Sequence, residues 1–142
     1  MRAHVPEAAA RPARGIIDTS VVVDLEALDP SKLPIEVAIS SITLAELAAG
    51  PHATDDADER ARRQDRLQRA EAAFDPLPFD SEAARAYGRV YAAVVAAGRK
   101  ARGPRAVDLL IVATACALEL PLYTRNPDDF RGLADLVEVV TV

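Results

Sequence analysis

Apolar residues along this chain form short runs that alternate with longer stretches of helical periodicity. The short runs favour buried strands and lie at Ile16–Asp18, Leu33–Ser40, Leu77–Phe79, Pro121–Thr124 and Val137–Val142. Helices are predicted between them, at Val21–Leu28, Ser41–Ala49, Thr54–Phe74, Ser81–Ala97 and from Pro104 or Arg105 to about Leu120. Strands that alternate with helices in this way predict an α/β sandwich with a largely parallel sheet.

Cap and turn residues set the expected ends of these helices. Thr19 or Ser20 is expected to cap the first helix, because a hydroxyl at that position accepts a bond from a free backbone N–H. Asp80 is expected to cap the fourth helix, and Gly50 and Gly98 are expected to end the second and fourth.

Length and composition favour one folded domain. The chain has 142 residues, of which 50% are hydrophobic and 27% charged, as in globular proteins with a core. The first residues are rich in alanine, arginine and proline, so we expect a flexible leader over 1–14 and one domain over 15–142.

That leader lacks the apolar stretch of a secretory signal. The longest uncharged apolar run, Leu109–Leu118, is about half of what a membrane span needs. We therefore expect a cytoplasmic protein without membrane contact, in which the lone Cys116 is a reduced core residue.

The charges of the chain are unevenly distributed, although the net charge is −5. The segment Ala83–Val107 contains no Asp or Glu, and its basic residues include Arg85, Arg89, Arg99, Lys100 and Arg102. A second basic cluster comprises Arg60, Arg62, Arg63, Arg66 and Arg69. Such segments are typical of strips that follow a phosphate backbone, and a solvated helix face is the alternative.

Acidic residues stand at several positions where apolar neighbours make a charge expensive. Asp18 ends the first apolar run, Glu46 lies in the second predicted helix, and Asp108 lies inside the apolar last helix. A further polar group follows Thr124 and consists of Asn126, Asp128 and Asp129. Because functional groups of α/β sheets gather at the carboxyl ends of the strands, we expect these residues to meet there.

All of these positions except Asp18 also have a purely structural interpretation. Glu46 fits a capping box with Thr43, and Asp108 fits a helix N-cap, although Pro104 suggests an earlier helix start. The segment Asn126–Asp129 is also a good turn and helix start.

A group of carboxylates implies shared protons or a bound cation, because two charges about 4 Å apart repel by on the order of 4 kcal/mol at an effective dielectric near 20. His4 and His52 lie in the leader and in a loop, so the expected ligands are oxygens and the expected ion is Mg²⁺ or Mn²⁺ rather than zinc. Such ions commonly act on phosphates, which points to phosphoryl transfer or phosphodiester hydrolysis.

The chain contains four motifs in the order IIDTSV, SITLAEL, RAVDLLIVATA and LYTRNPDDF. Together they resemble the motifs of the PIN-domain nucleases, and most of all those of the VapC-type toxins of bacterial toxin–antitoxin pairs. The resemblance covers about Gly15–Val142. It implies a three-layer α/β/α sandwich with a central, mainly parallel sheet. It also implies a Mg²⁺- or Mn²⁺-dependent endoribonuclease that cuts structured RNA such as tRNA or rRNA, leaving a 5′-phosphate and a 3′-hydroxyl.

The resemblance also implies roles for particular residues. Asp18, Glu46 and Asp108 match the first three acids of the family, and Thr19 or Ser20 matches a hydroxyl that often helps to hold water at the metal. The expected metal ligands are Asp18 and Asp108, with Glu46 placing the attacking water and acting as its base. Further supporting residues are Arg105, which is expected to hold a carboxylate or reach a phosphate, and Thr124.

The fourth acid is where the sequence departs from the family pattern, because the matching position is Asn126. Asp128 and Asp129 follow closely, and Asp129 is taken as the catalytic one of the two. Any of the three residues, as well as Glu46, is a possible additional metal ligand.

The resemblance implies a cognate VapB-type antitoxin as partner and RNA as substrate, with Arg85, Arg89, Arg99, Lys100 and Arg102 following the RNA backbone. A homodimer through the helix of small residues at Ala83–Ala97 or a toxin–antitoxin hetero-oligomer is expected. Tyr87 and Tyr91 either stack on bases or pack in the core. The competing interpretations are a catalytically decayed RNA- or protein-binding module, an aspartate-nucleophile phosphatase and a DNA-directed nuclease.

Overall fold

The computed structural model describes residues 12–103 and 105–142, and within them four parallel strands form one sheet. The strands are β1 (Arg14–Ile17), β2 (Glu36–Ala38), β3 (Leu122–Thr124) and β4 (Val139–Thr141), in the order β2-β1-β3-β4. In the register, Ile16 pairs with Ala38 on one side and with Leu122 on the other. Most of the predicted leader, His4 and Pro104 lie outside the described residues.

Five helices cover the sheet within the described part of the chain. They are α1 (Thr19–Val23), α2 (Ser41–Ala49), α3 (Ala57–Ala73), α4 (Ser81–Ala96) and α5 (Arg105–Leu118). Short 3-10 turns lie at Leu25–Ala27, Pro30–Lys32, Gly50–Ala53 and Pro127–Phe130. None of the described helices is long and apolar enough to cross a membrane.

Successive strand residues point to opposite faces of the sheet and build two cores. Ile16 and Leu122 belong to a core with the apolar faces of α4 and α5. Ile17 and Tyr123 belong to a second core with α1 and with Ala70 of α3. The sheet is buried on both faces, as parallel sheets require, and the predicted three-layer α/β/α sandwich is confirmed.

The first helix is shorter than predicted, and its cap is a different residue. The Asp18 side chain, rather than Thr19 or Ser20, accepts the bond from the backbone N–H of Val21. The helix ends at Val23 and a 3-10 turn continues the chain to Ala27. Three consecutive β-branched valines explain the early end, because such residues have low helix propensity.

The predicted strand at Leu77–Phe79 is wrong, since only an isolated bridge forms there. The Leu77 N–H donates to the carbonyl of Ile39 at 2.9 Å, and its carbonyl accepts from Ser41 at 2.8 Å. Pro76 and Pro78 flank this residue and have no N–H, so the ladder cannot extend in either direction.

The chain reverses its direction across the sheet between β1 and β3. From β1 it moves outward to β2, and it later returns to the other side of β1 as β3. In open α/β sheets the crevice at such a reversal, at the carboxyl ends of the strands, is where ligands bind. Asp18 follows β1 and Asn126 follows β3, so both lie at this crevice.

Two glycines offer a test of the packing of α4. Gly132 has φ of 88°, and a Cβ there would lie 2.8 Å from the Cβ of Ala97. Gly88 lies in the middle of α4, and a Cβ added to it would have nothing within 4 Å. We expect Gly132→Ala to lower the free energy of unfolding by about 1–3 kcal/mol and Gly88→Ala to raise it by about 0.5–1 kcal/mol. Urea denaturation measures both, and a destabilising Gly88→Ala would contradict this packing.

Candidate active site

Asp18 is held at the end of β1 by bonds to both its backbone and its side chain. It is only 5% exposed, and its backbone N–H donates to the carbonyl of Tyr123 at 3.0 Å. Its Oδ1 accepts from the Ser20 hydroxyl at 2.6 Å and from the Val21 N–H at 3.2 Å. The carboxylate is therefore fixed by the start of α1, where the helix dipole also favours a negative charge.

Glu46 is oriented by a hydroxyl from another element. The Thr19 hydroxyl donates to its Oε1 at 2.6 Å and lies 3.1 Å from Oγ1 of the fully buried Thr43. The capping-box interpretation is wrong, because Ser40 is the N-cap of α2 and accepts from the Thr43 N–H at 3.1 Å. Glu46 is thus free of a capping role and faces the start of α1.

Asp108 lies in the first turn of α5 and is half-buried. The N-cap interpretation is wrong, because the helix begins at Arg105. Burial, together with repulsion by Asp129, Glu46 and Asp18, raises the pKa of the Asp108 carboxyl to about 6, whereas Arg105 opposes the shift. Three predicted acids therefore act electrostatically on the fourth, which means that the fold brings all four into one neighbourhood.

The structure distinguishes the two late aspartates. Both lie in the 3-10 turn Pro127–Phe130, which confirms the turn interpretation of this segment. Asp129 is half-buried and acts on Asp108, whereas Asp128 is exposed and its side chain lies 3.7 Å from Arg131. Asn126 is exposed, and its carbonyl accepts from the Asp129 N–H at 3.1 Å. Asp129 is therefore the late acid best placed to complete the group.

Two arginines fix this turn through backbone carbonyls. Arg105 donates to the carbonyl of Asp129 at 2.9 Å, and Arg99 donates to the carbonyl of Asp128 at 2.7 Å. Arg105 also faces Asp108 closely enough to oppose its pKa shift. It accordingly positions the late turn against α5, a contact that the sequence did not reveal.

Hydroxyls connect the ends of β1 and β3. The Ser20 hydroxyl accepts from the Arg125 N–H at 3.0 Å and lies 3.5 Å from the Thr124 hydroxyl. The Thr124 hydroxyl in turn accepts from the Asn126 N–H at 3.0 Å. Both predicted supporting hydroxyls beside Asp18 are thus engaged, Ser20 with Asp18 and Thr19 with Glu46. Thr43 was missed as part of this network, although its spacing of three residues from Glu46 places both on one face of α2.

The donor set fits a hard divalent cation. The available atoms are carboxylate and hydroxyl oxygens, and bound positive charge would relieve the repulsion that raises the pKa of Asp108. Within residues 12–103 and 105–142, no three acids, histidines or cysteines already converge as a compact cation cage. An ion such as Mg²⁺, which keeps several waters and needs only one or two carboxylates, suits this wider arrangement.

The predicted RNA-binding residues lie on the α4 and α5 side of the sheet. Arg85 pairs with Glu82, Arg89 lies 3.8 Å from the buried Cys116 sulfur, and Lys100 and Arg102 are exposed. The rings of Tyr87 and Tyr91 are 6.1 Å apart, with Tyr87 packed against the core and Tyr91 exposed. Cys116 is a free core residue, as predicted.

Known proteins match this arrangement over most of the chain. The PIN domain family model matches residues 15–136. Ribonuclease VapC5 of Mycobacterium tuberculosis is 38% identical over 136 residues, which cover 92% of this chain and 97% of that protein. Ribonuclease VapC of Rickettsia bellii is 33% identical over 135 residues, covering 89% and 95%. A solved member of the VapBC family of toxin-antitoxin systems, VapBC-5 from M. tuberculosis, superposes with a TM-score of 0.78 at 37% identity, covering 92% and 98%.

The chain belongs to the PIN-domain family. Its likeness to the two VapC proteins confirms the predicted resemblance to VapC-type members. The interpretation as an aspartate-nucleophile phosphatase thereby loses its basis, which was the position of Asp18 alone.

The pKa of Asp108 predicts a specific pH dependence of stability. Folding raises this pKa from 3.8 to about 6, so the folded state favours the protonated carboxyl. The contribution of this carboxyl to the free energy of unfolding is fully present below about pH 4, and it is lost as the pH rises through about 6. In metal-free buffer, Asp108→Asn should therefore gain stability relative to the wild type between pH 4 and 7, by on the order of 1 kcal/mol after solvent screening. Urea denaturation across this range measures the difference, and a constant difference would contradict the assignment.

Proposed function

We propose that this chain is a metal-dependent endoribonuclease that hydrolyses phosphodiester bonds of structured RNA, such as tRNA or rRNA, as the toxin of a toxin–antitoxin pair. The observation that carries the proposal is the gathering of four acids at the carboxyl ends of the parallel strands, where Asp129, Glu46 and Asp18 add to burial in raising the pKa of Asp108. The names of the two VapC relatives, both ribonucleases, support the same activity.

Asp18 and Asp108 would hold the ion, Mg²⁺ or Mn²⁺, with Asp129 as the next candidate. When bound, the ion supplies positive charge that acidifies water and offsets the charge of the phosphate. Asp18 is already fixed by Ser20 and the Val21 N–H, so it needs little reorganisation to act as a ligand. Asp108 must first lose the proton that its raised pKa retains up to about pH 6.

Glu46 would position the attacking water and accept its proton. The bond from Thr19 to Oε1 holds the carboxylate in one orientation and leaves its second oxygen available to a water. Hydrolysis would then leave a 5′-phosphate and a 3′-hydroxyl, as the family resemblance implied. Arg105 keeps the turn of Asp129 in place through its backbone carbonyl.

The proposed partner is a VapB-type antitoxin that silences the toxin in a hetero-oligomer. The solved relative at 37% identity is described as a member of the VapBC family of toxin-antitoxin systems, which supports such a partner for this chain. The proposed location is the cytoplasm, where RNA substrates are found. The RNA backbone would be followed on the α4 side of the site by five basic residues, Arg85, Arg89, Arg99, Lys100 and Arg102.

The decayed binding module is the second candidate, and the observation that favours it is Asn126, which carries no charge at the family's fourth acid position. Asp129 weighs against it, because this carboxylate already acts on Asp108 from the same turn. Binding of RNA without cleavage would distinguish this candidate from the nuclease.

Cleavage rates of single variants should distinguish the acids that take part in the reaction from Asp128, which lies beside the site. We expect Asp18→Asn and Asp108→Asn each to lower the Mg²⁺-dependent cleavage of total cellular RNA by at least about a hundredfold, because each removes a charged ligand. Glu46→Gln should cost about 10²–10⁴-fold if its carboxylate acts as a base. The discrete cleavage products of the wild type should disappear in EDTA, because EDTA removes the divalent ion.

The matched control for this assay is the pair of late aspartates. Asp129→Asn should impair cleavage strongly, whereas Asp128→Asn should stay within about twofold of the wild type, because its side chain faces Arg131 and solvent. Equal losses in both variants would contradict the assignment of Asp129. Wild-type cleavage in EDTA would contradict the metal-dependent mechanism.

Metal binding should also be visible without RNA. A ligand at 100 times its Kd stabilises a protein by about 2.7 kcal/mol, so saturating MgCl₂ or MnCl₂ should raise the thermal midpoint of the wild type. Asp108→Asn should lose this increase, and Asp128→Asn should keep it. Differential scanning fluorimetry measures the shift, with CaCl₂ as a test of ion preference and KCl at matched ionic strength as control. An equal increase in Asp108→Asn would place the ion elsewhere.

A further inference from the structure

Helix α3 carries five arginines, and four of them have partners inside the molecule. Arg60 donates to the carbonyls of Pro51 and Thr54 at 3.1 and 2.9 Å, and Arg63 donates to the carbonyl of Gly50 at 2.9 Å. Arg62 pairs with Glu59 at 2.8 Å, and Arg69 pairs with Asp65 at 3.0 Å and with Glu26. These bonds explain most of the second basic cluster as structural.

Arg66 differs from its four neighbours. It is half-buried, and among the described residues it has no hydrogen bond or ion pair. None of its side-chain nitrogens is buried without a partner, so the five donors of this guanidinium stay open to solvent and to a ligand. The position of Arg66 on the helix therefore indicates what it would bind.

Arg66 lines a hollow of about 360 Å³ whose lining includes Glu46, one of the four acids of the site. The same hollow is lined by Thr19 and Glu46, which are bonded to each other. Arg60 and Arg63 tie α3 to the turn Gly50–Ala53 that directly follows α2, the helix of Glu46. The distance between Arg66 and Glu46 is thus fixed by the packing of α3 beside α2, not by a mobile loop.

The charge of the hollow suits an anion on the side of α3. Glu59 also lines it, but both of its carboxylate oxygens accept bonds from Arg62 and Arg63, which lower its pKa. Within the lining itself, Glu59 and Arg63 offset each other, which leaves Arg66 as the uncompensated positive charge on the side of α3. Glu46 is then the uncompensated acid of the lining, and it also acts electrostatically on Asp108.

We propose that Arg66 binds a backbone phosphate of the RNA next to the phosphate that is cleaved. This inference rests on the proposed ribonuclease function, since the hollow shares Glu46 and its partner Thr19 with the acidic site. A phosphate is the favoured ligand, because the guanidinium fork matches two of its oxygens and because an RNA strand in the acidic site carries phosphates on both sides.

Arg66 also lies on the opposite side of the sheet from the predicted RNA strip. Helix α3 packs against the core of Ile17 and Tyr123, whereas α4 packs against that of Ile16 and Leu122. Contacts from both layers would hold the strand across the acids and fix which phosphate faces Glu46. Arg66 would therefore act as a substrate-binding residue that sets the register of the RNA.

The test is RNA binding under conditions in which no cleavage occurs. Fluorescein-labelled total tRNA is titrated with Asp108→Asn in EDTA, at several KCl concentrations, and anisotropy gives the Kd. The double variants add Arg66→Gln or, as a matched control one turn away on the same helix, Arg62→Gln. Circular dichroism and urea denaturation confirm that each variant is folded.

We expect Arg66→Gln to weaken binding about five- to tenfold at low salt, and to reduce the slope of log Kd against log salt concentration by about 0.7, the loss of one phosphate contact on a single strand. Arg66→Lys should restore part of the affinity and part of the salt dependence, and Arg62→Gln should change neither quantity. In the otherwise wild-type enzyme with Mg²⁺, Arg66→Gln should raise KM by a similar factor and shift the cleavage pattern.

The outcomes separate this inference from the proposed activity. If Arg66→Gln binds tRNA like Arg62→Gln, the inference fails, whether or not the wild type cleaves RNA. If binding depends on Arg66 but the wild type never cleaves, the phosphate contact stands and the nuclease proposal fails. If Arg66→Gln affects only inhibition by the antitoxin, Arg66 binds an acidic group of that partner and the RNA contact is overturned. A protein that binds no RNA overturns both proposals.

Discussion

Repulsion among Asp18, Glu46, Asp108 and Asp129 governs how the elements around the site are built. Holding such charges together is unfavourable, and the raised pKa of Asp108 expresses part of that cost. The fold accepts it because each acid is attached to an element that is stabilised elsewhere. Asp108, for example, belongs to the helix whose Leu109, Ile111 and Val112 are fully buried.

A small set of uncharged hydroxyls then decides how the acids are oriented. Ser20 holds Asp18 and also receives the Arg125 N–H from the end of β3, so it joins the two central strands at the site. Thr19, its neighbour, holds Glu46 on another helix. Hydroxyls suit this role because they donate to a carboxylate without adding charge, and the acids keep their attraction for a cation.

Positive charge is distributed around the acids rather than among them. Arg105 and Arg99 bind backbone carbonyls of the late turn, and therefore stabilise its shape without neutralising the carboxylates by direct pairing. Arg66, which has no partner among the described residues, lines the hollow next to Glu46 on the other side. An acidic centre with arginines on both flanks is electrostatically suited to a polyanion that must approach a bound cation.

Hydrophobic periodicity and misplaced charges are local features of the sequence. They are enough to predict the alternation of strands and helices, the limits of α2, and the candidates Asp18, Glu46 and Asp108. The identity of the late acid that joins them depends on how the folded chain pairs distant residues. Asp128 and Asp129 are adjacent in sequence, and the turn bonded to Arg105 directs them to different surroundings. The same holds for Arg66, which looks like its four neighbours until their partners are known. Pairing between distant residues distinguishes such groups, and a single sequence does not contain that information.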